Sequence, residues 1–63
     1  MSERCRLVRL PEVKQMTGLS KSTIYARIAS GTFPKQIPLG PRVVAWSEYA
    51  VKTWIQSQID AAA

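Results

Sequence analysis

Histidine is absent from the 63 residues and cysteine occurs once, at Cys5, which excludes two kinds of site at the outset. A zinc site draws almost always on four ligands of these types, so no such site forms within one chain. An intramolecular disulfide is impossible too, which fits a reducing cytoplasm; Cys5 is expected to be a small apolar filler near a terminus. Acidic residues number four and glycines three. Glu3 and Asp60 lie near the ends, while Glu12 and Glu48 stand where helices should begin and there complement the positive end of the helix dipole. No nucleophile has a base beside it, and the scattered glycines form no phosphate loop. An enzyme is not expected, and neither is a cofactor or a small-molecule ligand. No apolar run approaches the roughly 20 residues a membrane span needs, and the amino terminus lacks the apolar core of a signal peptide. The expected location is the cytoplasm.

What is present is globular composition and a strong positive charge. Hydrophobic residues make up 46% and charged residues 21%. A chain of this length forms one domain, residues 1–63, which buries only about 60% of its unfolded surface and has no room for a deep catalytic cleft. The formal charge is +5, and no acidic residue lies between Glu12 and Glu48, while Lys14, Lys21, Arg27, Lys35 and Arg42 all fall inside that interval. The bland reading of so basic a middle is a solvated surface. The functional reading is a polyanion as partner.

In chain order, 4–9 is a short extended lead-in. Pro11 suits a first helical turn because the amide it lacks is unpaired there anyway, and Gly18 accepts the left-handed conformation that closes a helix. The first helix is therefore 11–17, with Val13 and Met16 on its buried side. Ser20 is a good N-cap for a second helix over 21–30, and Leu19 can staple onto Ile24. Two short helices joined by so tight a glycine-containing turn form a helix-turn-helix, with the second presented outward. At about 100° per residue, Ile24 and Ile28 of this second helix face inward. Ser22, Thr23, Ala26 and Ser30 face away, and Tyr25 and Arg27 flank that side. Short side chains allow close approach to another surface, and Lys21 with the free amides of the first turn favours phosphate; such a helix fits a DNA major groove. The competing reading packs Ser22 and Ala26 against the domain itself.

Pro34, Pro38, Gly40 and Pro41 exclude a helix after Gly31. Residues 32–46 instead read as a small hairpin, or wing. Its proline-bearing strand is an edge, Arg42 lies at or just beyond the turn, and Lys35 and Gln36 sit at the base, in reach of phosphates or a minor groove. Ser47 caps a last helix over 48–60 and Trp46 staples onto Val51. Val51, Trp54, Ile55 and Ile59 recur at helical spacing, and both tryptophans read as packing anchors. Residues 60–63 are a fraying end. The fold class is thus mostly α with a small β-hairpin wing.

Leu10-Pro11-Glu12-Val13, Thr17-Gly18-Leu19-Ser20-Lys21-Ser22-Thr23-Ile24-Tyr25, Gly31-Thr32-Phe33-Pro34, Leu39-Gly40-Pro41-Arg42 and Trp46 together resemble the AlpA family of small phage and prophage regulators. That family is similar to excisionases and to the winged domain of MerR-type regulators. The resemblance covers about residues 7–59. It implies a winged helix-turn-helix that binds double-stranded DNA to control prophage or mobile-element genes, sometimes by promoting excision. It also implies that the helix from Lys21 enters the major groove and that the loop around Arg42 is the wing. Pro41 departs from the family pattern, which has glycine or a polar residue there, and stiffens the wing. The long dimerisation helix that follows this domain in MerR regulators is not expected here.

The expected phosphate contacts are Lys14, Lys21, Lys35 and Arg42, with Ser20 at the helix start and Gln36 at the wing base. Ser22, Thr23, Tyr25, Ala26 and Arg27 are the candidates for base edges, Arg27 as a bidentate partner of guanine. One small domain makes few contacts, so a dimer or a cooperative array on DNA is open. So are an excisionase-like recombination directionality factor and a protein-interaction module, such as an antirepressor or recombinase cofactor. An RNA role rests on Tyr25 alone as a stacking platform.

Overall fold

The computed structural model describes residues 6–62. The readings placed on Glu3, Cys5 and Ala63, and on the first two residues of the lead-in, lie outside the described residues. The elements run β1 (Leu7–Val8), α1 (Leu10–Thr17), α2 (Lys21–Ala29), β2 (Ile37–Gly40), β3 (Val43–Ser47) and α3 (Glu48–Ala62). Three helices and a small antiparallel sheet make a winged helix-turn-helix.

Helix α1 starts one residue before Pro11, from an Arg9 N-cap whose carbonyl accepts from the amides of Glu12 and Val13 at 3.1 and 3.0 Å. It stops at Gly18, where φ is 73° and the amide donates to the Lys14 carbonyl at 2.8 Å. A residue with a Cβ pays for that φ, so glycine is the natural choice. Thr17 braces the turn that follows: its hydroxyl donates to the Val13 carbonyl at 2.9 Å and accepts from the Leu19 amide at 3.2 Å. Ser20 then caps α2 by accepting from the Thr23 amide at 3.3 Å. Helix α2 ends at Ala29, with Ser30 as its C-cap rather than its last turn, because Gly31 at φ 78° turns the chain away.

Within the lead-in, Leu7–Val8 form a true strand. β1 pairs antiparallel with β3, Leu7 opposite Ser47 and Val8 opposite Trp46, so the hairpin becomes a three-stranded sheet of order β1-β3-β2. β2 lies at an edge, where Pro38 needs no ladder donor. Its register with β3 runs Ile37 to Ala45 and Pro38 to Val44, then shifts so that Gly40 meets Val43. The Pro41-Arg42 turn has Arg42 at φ 66°, the one non-glycine residue with positive φ among those described. Proline followed by a positive-φ residue is the pairing a type II turn uses, usually with glycine or asparagine second.

The core cluster is Val8, Val13, Ile24, Phe33, Trp46 and Val51, drawn from every element but β2 and including the loop after α2. Trp46 is fully buried, and its indole N–H donates to the Pro34 carbonyl at 3.2 Å. Glu48, at the start of α3, is buried beside two cations, Arg6 at 3.3 Å and Lys52 at 3.6 Å. Arg6 also reaches Glu12 at 3.7 Å, and its carbonyl accepts from the Glu48 amide at 2.9 Å. One residue thereby ties β1 to the starts of α1 and α3. Two expectations are corrected along α3. Ile59 is 57% exposed rather than part of the packed stripe, because a 15-residue helix, about 22 Å long, outruns so small a core. Residues 60–62 are helical rather than frayed: alanine is the best helix former, and Gln56 Nε2 donates to Asp60 Oδ1 at 3.1 Å across the last turn.

Candidate nucleic-acid interface

Helix α2 divides as its spacing predicts. Ile24 is fully buried, Ile28 packs against the core, and Lys21, Ser22, Ala26, Ala29 and Ser30 are exposed. Small residues therefore stand in solvent, uncovered by the domain's own described chain. Thr23 is half-buried, so it sits at the margin of this face rather than within it.

The start of α2 is electropositive for two reasons. Lys21 is its first residue, and α2 alone of the three helices has no carboxylate in its first turn, where α1 has Glu12 and α3 has Glu48. The amide dipoles at this end are therefore not offset by an acidic side chain of the same turn. Hydroxyls gather there as well. Ser20 Oγ lies 3.0 Å from Thr23 Oγ1 and 3.3 Å from Ser22 Oγ, a cluster that can exchange an internal partner for an external acceptor. A shallow hollow of about 510 Å³ runs from Lys14 and Gln15 across Gly18 to Ser20. The fold thus brings Lys14 of α1 to the cap of α2, six positions further along the sequence.

Tyr25 and Arg27 are positioned less freely than helical spacing alone suggests. Tyr25 is half-buried and meets the Trp46 ring edge-on at 6.4 Å, which leaves it poorly placed as a stacking platform for an unpaired base. Arg27 is half-buried with its Cζ 5.9 Å from the centre of the Trp54 ring. Its Nε is enclosed without a hydrogen-bond partner among the described residues. Spacing gives the direction of a side chain but not the neighbour that holds it. Trp54, which sequence reasoning assigned to packing alone, is that neighbour.

The wing carries its cation at the tip. Arg42 is exposed in the turn, Lys35 is exposed in the segment before β2, and Gln36 is half-buried. Among the described residues no group of three or more cysteines or carboxylates is placed to hold a metal ion, and no helix is long and apolar enough to cross a membrane.

A capped second helix with a bare small-residue face, preceded by a short helix across a tight turn and followed by a basic hairpin, defines the winged helix-turn-helix class. Within that class the match is specific. Residues 6–59 match the family described as Prophage CP4-57 regulatory protein (AlpA), and the chain belongs to that family. An uncharacterised protein, ORF88, of Enterobacteria phage P4 is 46% identical over 54 residues, which are 86% of this chain and 61% of that protein. The chain therefore spans less than two thirds of that relative. The DNA-binding transcriptional activator AlpA of Escherichia coli (strain K12) is 36% identical over 59 residues, covering 84% of each chain.

Proposed function

We propose that this protein is a sequence-specific DNA-binding regulator of transcription of prophage or mobile-element genes, with α2 in the major groove and the wing on the flanking backbone. The observation that carries the reading is the exposed Lys21-Ser22-Ala26 face on a capped helix whose first turn holds no acid. Family membership and the description of the Escherichia coli relative support the same class. Lys14, Lys21, Lys35 and Arg42 hold phosphates, with the Ser20 region seating one of them. Ser22, Ala26 and Arg27 meet base edges, and Thr23 and Tyr25 line the margins. Catalysis plays no part. The site of action is the cytoplasm, at the nucleoid while DNA is bound.

Selection of bound duplexes from a random pool tests this directly. The expected result is a consensus, whose number of half-sites reports whether one copy or several bind. With four phosphates neutralised, log affinity should fall against log salt with a slope of roughly −4. A flat salt response with no consensus contradicts the reading.

One observation favours a second reading, a protein-interaction module. Leu7 opposes Ser47 and Ile37 opposes Ala45, and Ser47 and Ala45 are two apart on β3, so Leu7 and Ile37 share one face of the sheet. They are 44% and 39% exposed, with Leu39 at 51% further along β2. A recombinase or repressor partner would use this face. Lys21→Ala and Arg27→Ala variants that lose DNA and keep such a partner favour the first reading, and the reverse favours the second.

A further inference from the structure

Arg27 differs from the other cations of the candidate interface in how it is held. Lys14, Lys21, Lys35 and Arg42 are exposed, whereas Arg27 lies over the Trp54 ring with its Nε turned into the protein. The backbone beneath it is tied to the same ring. Trp54 Nε1 donates to the Thr32 carbonyl at 2.6 Å, and the Thr32 amide donates to the Arg27 carbonyl at 2.8 Å. The Ser30 and Thr32 hydroxyls donate to that carbonyl as well, at 3.0 and 3.3 Å. Phe33 meets the Trp54 ring edge-on at 4.8 Å and fixes it in turn.

We propose that Trp54 of α3 is a positioning residue for DNA recognition: its ring holds the Arg27 guanidinium at the edge of the α2 face before DNA arrives. The inference rests on the DNA-binding reading given above. A free arginine side chain loses rotamer freedom when it meets a base, and one already held on a ring loses less. Charge over the face of an indole is attracted by the ring quadrupole, which offsets part of the hydration that Arg27 gives up. With Nε enclosed, the two terminal nitrogens are the edge left for the O6 and N7 acceptors of guanine. Helix α3 thereby takes part in specificity without touching DNA.

The test compares affinity for a selected duplex with affinity for the same duplex changed at one base pair, in wild type and variants. Arg27→Ala should lower this discrimination by about fivefold to 150-fold. Trp54→Leu, which removes the ring but keeps apolar volume, should lose most of the same discrimination while leaving non-specific affinity and the salt slope unchanged. Trp54→Phe, which keeps a ring but loses the Nε1–H donor to the Thr32 carbonyl, should retain more of it than Trp54→Leu. Combined with Arg27→Ala, Trp54→Leu should cost nothing further. In wild type the Arg27 Nε–H resonance should be shifted by the ring and stay so in the complex, a readout that needs no variant to fold. A folded Trp54→Leu that discriminates as wild type overturns the proposal. So does a loss of equal size with and without Arg27, or an Nε–H signal that moves to the free-arginine position on binding. Wild type that binds DNA without sequence preference overturns the DNA reading itself, and the positioning role with it.

Discussion

Arg42 separates charge from backbone strain, because it carries the tip cation at a φ of 66°. An L-residue in that region costs roughly 1–2 kcal/mol relative to glycine. Arg42→Ala keeps this cost and removes the charge; Arg42→Gly removes both. Glycine gives back about 0.4–1 kcal/mol through the greater freedom of the unfolded chain. The difference leaves Arg42→Gly more stable than Arg42→Ala by about 1 kcal/mol. In a domain of this size that corresponds to roughly 4–8 °C in Tm, within reach of thermal unfolding followed by circular dichroism. DNA binding should not separate the two, because both variants lose the same phosphate contact and the salt slope should flatten by about 0.9 in each. A glycine variant no more stable than the alanine variant refutes the strained turn. Unaltered salt slopes in both refute the wing's contact with phosphate.

Ser20→Ala removes the hydroxyl that caps α2 and should cost about 1 kcal/mol in denaturant unfolding. Gly18 and Gly40 form a matched pair, since an added Cβ meets nothing within 4 Å at either, yet only Gly18 has positive φ. Gly18→Ala should therefore destabilise by roughly 1 kcal/mol or more, and Gly40→Ala should be neutral or slightly stabilising. Arg6→Ala strips one of two cations from the buried Glu48 and ends the contact with Glu12, while the backbone bond to the Glu48 amide stays, and should lower stability by about 1 kcal/mol. Glu48→Gln in the Arg6→Ala background should restore part of that loss, as a neutral amide needs no counter-charge.

Local chemistry made most of this fold legible. Pro11, Gly18, Ser20 and Ser47 act through their own backbone or that of residues up to four away, so each could be read without tertiary knowledge. The hairpin was legible for the same reason, from Pro38, Gly40 and Pro41. The parts that escaped depend on partners distant in sequence. A two-residue strand at Leu7–Val8 has too little pattern to announce itself; it exists because Ser47 and Trp46 offer it a ladder. Arg6 looks like one more surface cation until the fold sets Glu12 and Glu48 around it. Within the candidate site, the bare face of α2 followed from the helical period. The grip of Trp54 on Arg27, 27 residues apart, did not; only a signal linking an aromatic on α3 to a cation on α2 could have shown it.

If the small-residue face of α2 meets base edges, titrating ¹⁵N-labelled protein with its selected duplex should move the amides of that helix first. The largest shifts are expected along Lys21–Ala29 and at Arg42 and Val43, with Leu7 and Ile37 unchanged. The largest shifts at Leu7, Ile37 and Leu39, with α2 silent, would contradict that contact.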